Sequence, residues 1–428
     1  MRGLVTACEL GTSHTDGRTV LRLRIEPGLA LLKHRSHWRI FHDEPVERVV
    51  GLLLAPLGLG FDWRVLRHRV RKPHRCQRGE RDLAFLHRTL ADEGIFYWFD
   101  HTRETDWVVF ADEPSQYPTV PDAATLVHVG VAEALAADER TIFGLSANHR
   151  LRPTGQSHGY FDVLRPFLVE PTEAVTHEGA TPDLRGYGHA TEGLTDWMLA
   201  RPDAAQRLAR SRARALVAQA TTLCPHVAAG HAFSVSDHSE DVLNSNYVVQ
   251  RILHEGNSFA QGAETRRSYE ARLELAPRST PLLMEPIETR LAHGLETATV
   301  MGPENEDVYT DGFGRVQVRF HWDTGGKHPP VTAWVRVAQS WGGPGYGATF
   351  TPRVGNEVLI GFIDGDPDRP IVVGSVHNAL APPVPRFPAE RTRNGISTRS
   401  SPDSGSGHCL MFEDKRGIQA TSTVLAGG

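Results

Sequence analysis

The sequence predicts a mainly β protein with a few helices, α+β in class. Three observations carry that prediction. Glycine (40) and proline (28) are plentiful in the 428 residues, which suits many short strands joined by turns. Only three stretches repeat apolar residues at the three- and four-residue spacing of an amphipathic helix. And residues 297–378 hold five or six short alternating runs with no helical period.

The first element reads as strand, turn, strand. Leu4–Thr6 precedes the polar turn His14–Gly17, and Leu21, Leu23 and Ile25 then alternate with Arg22 and Arg24. A short helix follows Pro45, with Val46, Val49, Val50 and Leu53 on one face and Pro56 and Gly58 to end it. A second helix spans Glu80–Glu93. Leu83, Leu86 and Leu90 form its stripe, Asp82 is placed to cap it, and Gly94 supplies a left-handed C-terminal residue. Ile95–Phe99, β-branched and aromatic, follows as a strand. A third helix is expected from Pro202 to about Gln219, where Ala205, Leu208, Ala209, Ala213 and Leu216 align. Arg207, Arg210 and Arg214 would cover its solvated face.

Beyond Pro286 the texture changes. Val316, Val318, Phe320 and Trp322 alternate with Arg315, Gln317, Arg319 and His321, so one face is buried and one polar. Val331–Val337, Ala348–Thr351, Val358–Ile363 and Ile371–Val376 are the further strands, a set that can close into a small barrel. Trp322, Trp334 and Phe362 are its core candidates. Asp311-Gly312 fits a tight turn that uses the glycine's positive φ. Gly342–Gly347 is too glycine-rich for a strand and reads as a loop, one that could approach another backbone at a subunit boundary. Arg336, Arg353 and Arg369, with Asp364, Asp366 and Asp368, are candidates for ion pairs between loops or for simple solvated charges. Four prolines in Pro382–Pro388 form a stiff linker, and Arg391–Gly407 reads as a weakly ordered connector. Leu410–Phe412 starts an apolar strand that runs into a turn at Asp414–Gly417.

Length sets a prior of two to four domains. A net charge of −5 and a pI near 6.5 are too mild to imply a nucleic-acid or membrane partner. Four scattered cysteines (8, 76, 224, 409) make no disulfide framework, which fits folding in a reducing cytoplasm. The N-terminus has no signal-peptide core, and the longest apolar stretch, Val49–Phe61, is too short to span a bilayer.

Candidate chemistry is thin. Gly155-Gln156-Ser157-His158-Gly159 matches the nucleophile-elbow pattern, which needs a buried strand before the serine and a helix after it; polar residues flank it here. His74/Cys76, Cys224/His226 and His408/Cys409 are neighbours, but none makes the spaced pairs of a zinc site. His254-Glu255 and His177-Glu178 lack the second histidine of a metalloprotease helix. Arg64–Arg81 is basic, which opens a nucleic-acid reading; without interleaved aromatics it reads as a solvated loop. No catalytic, cofactor-binding or metal-binding residue is assigned.

Several motifs resemble one family, the VgrG spike proteins of type VI secretion systems, relatives of contractile phage tail hubs and spikes. They are Gln77–His101, Arg39-Ile40-Phe41, Val300–Glu304, Tyr309–Val318, Phe320–Asp323, Trp334–Val337, Pro352–Gly355 and Gly365–Ile371. The resemblance covers essentially the whole chain. It implies a phage-hub-like β-barrel region (1–292), then a small OB-type barrel (297–378). A connector and the start of a β-helical needle would follow (379–428). It also implies a structural, non-catalytic role at the tip of a contractile injection machine, puncturing target membranes and carrying effectors. The implied assembly is a homotrimer, with an Hcp-type tube protein, a PAAR-type tip protein, baseplate components and effector proteins as partners. No nucleic acid is expected, and export would use the injection machine. Set against the family pattern, the hub begins late and the needle barely begins, so an incomplete hub and needle are expected. The alternatives are a spike-borne hydrolase, using Ser157 or a His/Asp cluster, and a nucleic-acid-binding OB module.

Overall fold

The computed structural model describes residues 3–13, 19–69, 71–130, 139–162, 166, 172–175, 184–192, 197–261, 264–284, 291–323, 332–402 and 405–424. The expected turn at His14–Gly17, the residue Val331 and the His177-Glu178 pair lie outside them. The chain divides into two units. The first comprises residues 1–36, 45–71 and 81–288, and the second 37–44, 72–80 and 289–428.

In the first unit, β1 (Leu4–Ser13) and β2 (Thr19–Glu26) form the expected antiparallel hairpin. Val5 lies opposite Ile25, Cys8 opposite Leu23 and Leu10 opposite Leu21, so the alternation makes one apolar face. That face is exposed: Leu21, Leu23 and Ile25 are each more than half accessible. β3 (Ser36–Phe41) runs into the second unit. Helix α1 (Val46–Leu54) buries Val46, Val49, Val50 and Leu53, the predicted face, and Gly58 ends the following turn at φ 65°. β4 (Gly60–Trp63) follows, then β5 (Arg75–Arg81), mostly of the second unit.

Helix α2 (Asp82–Glu93) ends at Gly94 with φ 66°, the left-handed conformation expected of it. Its start differs from expectation. Arg81 is the N-cap, and Asp82 is the first helical residue, fully buried and 3.3 Å from the Arg35 guanidinium. The stripe is also rotated. Phe85, Leu86 and Leu90 are fully buried, and Leu83 only half. β6 (Phe96–Phe99) pairs with β7 (Trp107–Ala111), which pairs with β4. Phe96, Trp98 and Tyr117 pack as rings 4.9–6.2 Å apart. The buried Tyr117 hydroxyl donates to the Thr280 carbonyl and accepts from the Leu282 N–H, which keeps its polar end satisfied.

A closed barrel completes this unit. Its strands are β8 (Thr125–His128), β9 (Thr141–His149), β13 (Leu216–Thr222), β14 (Ala232–Ser236), β15 (Asn246–Gln261) and β16 (Glu264–Pro277). They run in the order β13-β16-β15-β14-β8-β9, and β9 pairs back onto β13. Leu126, Ile142, Phe233, Val249, Leu273 and Leu275 fill the interior. A smaller sheet places β10 (Gly155–Asp162) between β11 (Thr172–Val175) and β12 (Arg185–Glu192). Helix α3 spans Trp197–Arg212, earlier than its apolar spacing suggested. Leu216 belongs to β13 instead, because the barrel pairs 216–222 with β9 and 218–222 with β16. Ala204 and Leu208 are buried while Ala205 is exposed. The arginines expected at the solvated face have partners: Arg210 donates to the Ala91 carbonyl, and Arg214 lies 2.5 Å from Glu274.

In the second unit, β17 (Glu296–Met301), β18 (Gln317–Phe320), β19 (Arg336–Val337), β22 (Glu357–Phe362) and β23 (Pro370–Val376) form one sheet, ordered β18-β17-β22-β23-β19. Its outer strands meet where Val316 and Val335 exchange hydrogen bonds of 2.9 and 2.7 Å, which closes the sheet into a small barrel. Gly342–Gly347 is not an open loop. β20 (Trp341–Gly343) and β21 (Tyr346–Ala348) pair as a hairpin. Backbone contact favours glycine there: a Cβ on Gly347, at φ 133°, would lie 2.6 Å from the Trp341 carbonyl oxygen. The region read as a weakly ordered connector is also partly strand. β24 (Arg393–Ser397) pairs with β25 (Cys409–Glu413), and β25 with β26 (Ala420–Val424). β25 is the expected apolar strand, and a turn follows it. Among the described residues, no helix is long and apolar enough to cross a membrane.

Candidate functional site in the second unit

The barrel core is built from strand alternation. Ala298 and Val300 point inward from β17, Val318 and Phe320 from β18, Val358 and Ile360 from β22, and Val372 from β23. Of the three expected core aromatics, Trp322 and Phe362 pack against this cluster half-buried, at ring distances of 4.8 and 6.1 Å from Phe320. Trp334 packs against Tyr309 instead, its ring tilted and 5.1 Å away. The core is thus aliphatic around one phenylalanine, and the tryptophans form its margin.

Two core residues come from far earlier in the chain. Ile40 and Cys76, from β3 and β5, are buried in the same cluster. Trp38 packs on Trp322 at 5.4 Å, and the Arg78 guanidinium lies over both Trp38 and Phe362. Arg78 Nε donates to Glu296 Oε1 (2.5 Å) and Trp322 Nε1 donates to Glu296 Oε2 (2.7 Å), so one carboxylate ties β5, β17 and the end of β18 together. Gly79, at φ 63°, leaves room for the Trp38 indole, 2.8 Å from where a Cβ would stand. Sequence reasoning saw Arg39-Ile40-Phe41 only as a family feature. Its apolar residues, 255 residues or more before β17, carry no local sign of the barrel they complete.

The loops hold the polar residues. Asp311 accepts from the backbone N–H groups of Phe313 and Arg315 and from Arg315 Nε at 2.6 Å. Burial pushes the Asp311 carboxyl up, but the Arg315 bonds outweigh it and hold the group below its usual range. The positive φ of this turn falls on Gly314 (69°), not on Gly312, because Gly314 follows the turn that its N–H closes onto the Asp311 carbonyl. Arg369 Nε pairs with Asp366 at 3.1 Å, and the second carboxylate, Asp364, is more distant at 3.9 Å. Asp368 instead accepts the Cys76 N–H at 2.6 Å. His74 is buried near Asp368; burial pushes its pKa down and the Asp368 charge opposes that. Arg353 pairs with Asp307 at 2.8 Å. For Arg336, burial and then the nearby Arg315 charge lower the pKa.

The candidate chemistry fares differently. Ser157 sits mid-strand in β10, opposite Glu173 on one side and Tyr187 on the other. An elbow would need a sharp strand-to-helix turn at that serine, so Ser157 does not stand on a nucleophile elbow. Among the described residues, no three His, Cys, Asp or Glu side chains converge as a metal site requires. The basic run is divided among carboxylates. Arg64 pairs with Asp62, Arg67 with Glu113, Arg69 with the buried Asp112, and Arg78 with Glu296. A cleft of about 360 Å³ on the first unit's barrel is lined by Ser146, Gln219, Arg251, Arg272 and Glu274. Of its charged residues, Glu274 is paired with Arg214, and Arg272 with Glu255 and Glu270.

This order of parts, a larger barrel unit and then a small closed barrel with paired loops, has counterparts among known proteins. The profile of the phage tail baseplate hub (GPD) matches residues 1–260, and that of the type VI secretion system/phage-baseplate injector OB domain matches 304–377. The chain belongs to the phage tail baseplate hub family. Within it, the resemblance to the VgrG spike proteins of type VI secretion systems holds. The spike protein VgrG4b of Pseudomonas aeruginosa is 31% identical over 420 residues, covering 93% of this chain and 51% of that protein. The actin cross-linking toxin VgrG1 of Vibrio cholerae is 27% identical over 420 residues, covering 96% of this chain and 37% of that protein. Among solved structures, the E. coli c3393 protein superposes with a TM-score of 0.59 at 19% identity, over 88% of this chain and 83% of that one. It is described as a type VI secretion component similar to the T4 bacteriophage tail proteins gp27 and gp5. The chain spans about half the length of the first curated relatives it matches.

Proposed function

We propose that this chain is a structural, non-catalytic hub-and-tip component of a type VI contractile injection machine. One observation carries the reading: a hub-family match over 1–260 is followed, in the same chain, by an injector OB match over 304–377. The proposed assembly is a homotrimer at the end of an Hcp-type tube, capped by a PAAR-type protein, seated on baseplate components and loaded with effectors. Its route is cytoplasmic synthesis and then export by the machine it tips. The relative named as a toxin supports effector carriage by such a tip, since this chain aligns with little more than a third of it. Mid-strand Ser157 and the arginines already bound to carboxylates favour this reading over a hydrolase or a nucleic-acid module.

The test is export of the tube protein. Removing the gene from its host should abolish release of the Hcp-type protein into the medium, and restoring it should recover release. Full release without the gene, in a strain with no second spike gene, overturns the reading.

A further inference from the structure

We infer that Asp307 and Arg353 are positioning residues that fix the C-terminal three-stranded sheet on the small barrel at a second point. The first point is covalent: residues 377–392 lead from β23 to β24. A single tether, even one stiffened by Pro382, Pro383, Pro385 and Pro388, lets a sheet tilt about its attachment. Hydrophobic packing does little to prevent that. Every residue of β24 and β26 is exposed.

The restraint comes from the far end of the β24–β25 hairpin. Beyond the paired strands, Thr398 N–H donates to the His408 carbonyl (2.7 Å) and Ser400 N–H to the Ser406 carbonyl (2.8 Å), so the hairpin continues to Ser400 and Ser406. That tip meets two barrel loops. Arg353 Nη1 donates to Asp307 Oδ2 (2.8 Å) and to the Ser400 carbonyl (3.2 Å), and Nη2 donates to the Arg399 carbonyl. Ser401 Oγ donates to Asp307 Oδ1 at 2.5 Å. The loops themselves are joined, since Val354 N–H donates to the Asp307 carbonyl. A guanidinium directed at two successive carbonyls and a carboxylate is a geometrically demanding clamp, which a lysine could not reproduce. With both ends held, a push from the barrel moves the sheet as one body with it.

That mechanical meaning rests on the tip reading above; the clamp itself does not. The experiment therefore reads geometry within one chain. In the full chain, Cys8→Ser and Cys409→Ser remove the accessible thiols, and Ser375→Cys on β23 with Thr421→Cys on β26 carry spin labels. Pulsed dipolar spectroscopy, with labelled chain diluted into unlabelled chain, gives the distance distribution. One narrow peak is expected with the clamp intact. Arg353→Ala should widen it about twofold, and Asp307→Asn and Ser401→Ala should widen it less. Should Arg353→Ala fail to fold, the two milder variants decide. A broad distribution with the clamp intact, or an unchanged width in folded variants, overturns the inference. Failed export of the tube protein beside a narrow, clamp-dependent peak would instead overturn the tip reading alone.

Discussion

Ion pairs on buried carboxylates of the first unit and a pair on an exposed loop of the second work in different ways. In the first, Arg35 meets Asp82 and Arg69 meets Asp112, partners more than forty residues apart with carboxylates fully buried. In the second, the loop pair Asp366–Arg369 joins residues three apart, with Asp366 about a third exposed. A buried carboxylate holds distant segments together, and its loss strands a charge; a loop pair stiffens one turn that water can also satisfy.

The largest effect expected from this contrast is at Asp82. Asp82→Ala leaves the Arg35 guanidinium without the carboxylate that faces it and should cost about 3–5 kcal/mol. Hydrogen exchange followed peptide by peptide should show faster exchange across α2, with β17 and β22 unchanged. A cost near zero would remove the distinction between the two kinds of pair. Next is the second unit's dependence on its early segments. Ile40→Ala should cost about 3 kcal/mol, read as faster exchange in β17 and β22. Exchange confined to β3 would mean that the segment lies on the barrel without completing it.

The units should also part company in acid. Burial pushes His87 and His254, both of the first unit, down to about 4; their Nδ1 or Nε2 atoms lie 2.9 and 2.6 Å from the hydroxyls of Tyr97 and Tyr269. A histidine held neutral when folded takes up protons first in the unfolded chain. Its contribution is complete above the unfolded value near 6.5 and is lost as pH falls from there towards 4. Urea midpoints of the first unit should therefore drop across that window, and His87→Phe should flatten the slope. A slope unaffected by His87→Phe and His254→Phe would assign the acid response to other groups.

Smaller still is the loop pair. Asp366→Asn should cost about 1 kcal/mol or less, because the carboxylate is partly solvated. A loss as large as that of Asp82→Ala would place the two pairs in one class.

Legibility in the sequence followed the same line between local and distant. α1 and α2 could be read because their stripes and Gly94 lie within a dozen residues. The small barrel could be read because Val316, Val318 and Phe320 alternate and its turns carry their own partners. What escaped depended on remote backbone. The last turns assigned to α3 have helical spacing, but β9 and β16 claim them as strand. Gly342–Gly347 has no β-forming composition, yet it pairs with itself across a tight turn. Arg393–Ser397 is polar and becomes strand only because apolar β25 pairs with it. Ile40 and Cys76 gave no hint of the barrel they enter. The candidate site was legible in the same measure: Asp366 and Arg369 stand together in sequence, while the links from Arg78 to Glu296 and from Arg353 to residues 399 and 400 span 218 and 46–47 residues.

The smallest expected effect concerns Ser157. A strained elbow would make its serine costly to keep and decisive for activity, as the loop glycines of the second unit are for their turns. Ser157 instead occupies an ordinary strand position between β11 and β12. Ser157→Ala should therefore change stability by no more than about 0.5 kcal/mol, within the range of substitutions that break no specific interaction. Esterase and peptidoglycan-hydrolysis assays on the purified chain should read the same before and after the change. Hydrolysis that vanishes with this hydroxyl would mean that the strand reshapes around a substrate, and the first unit would then be an enzyme as well as a scaffold.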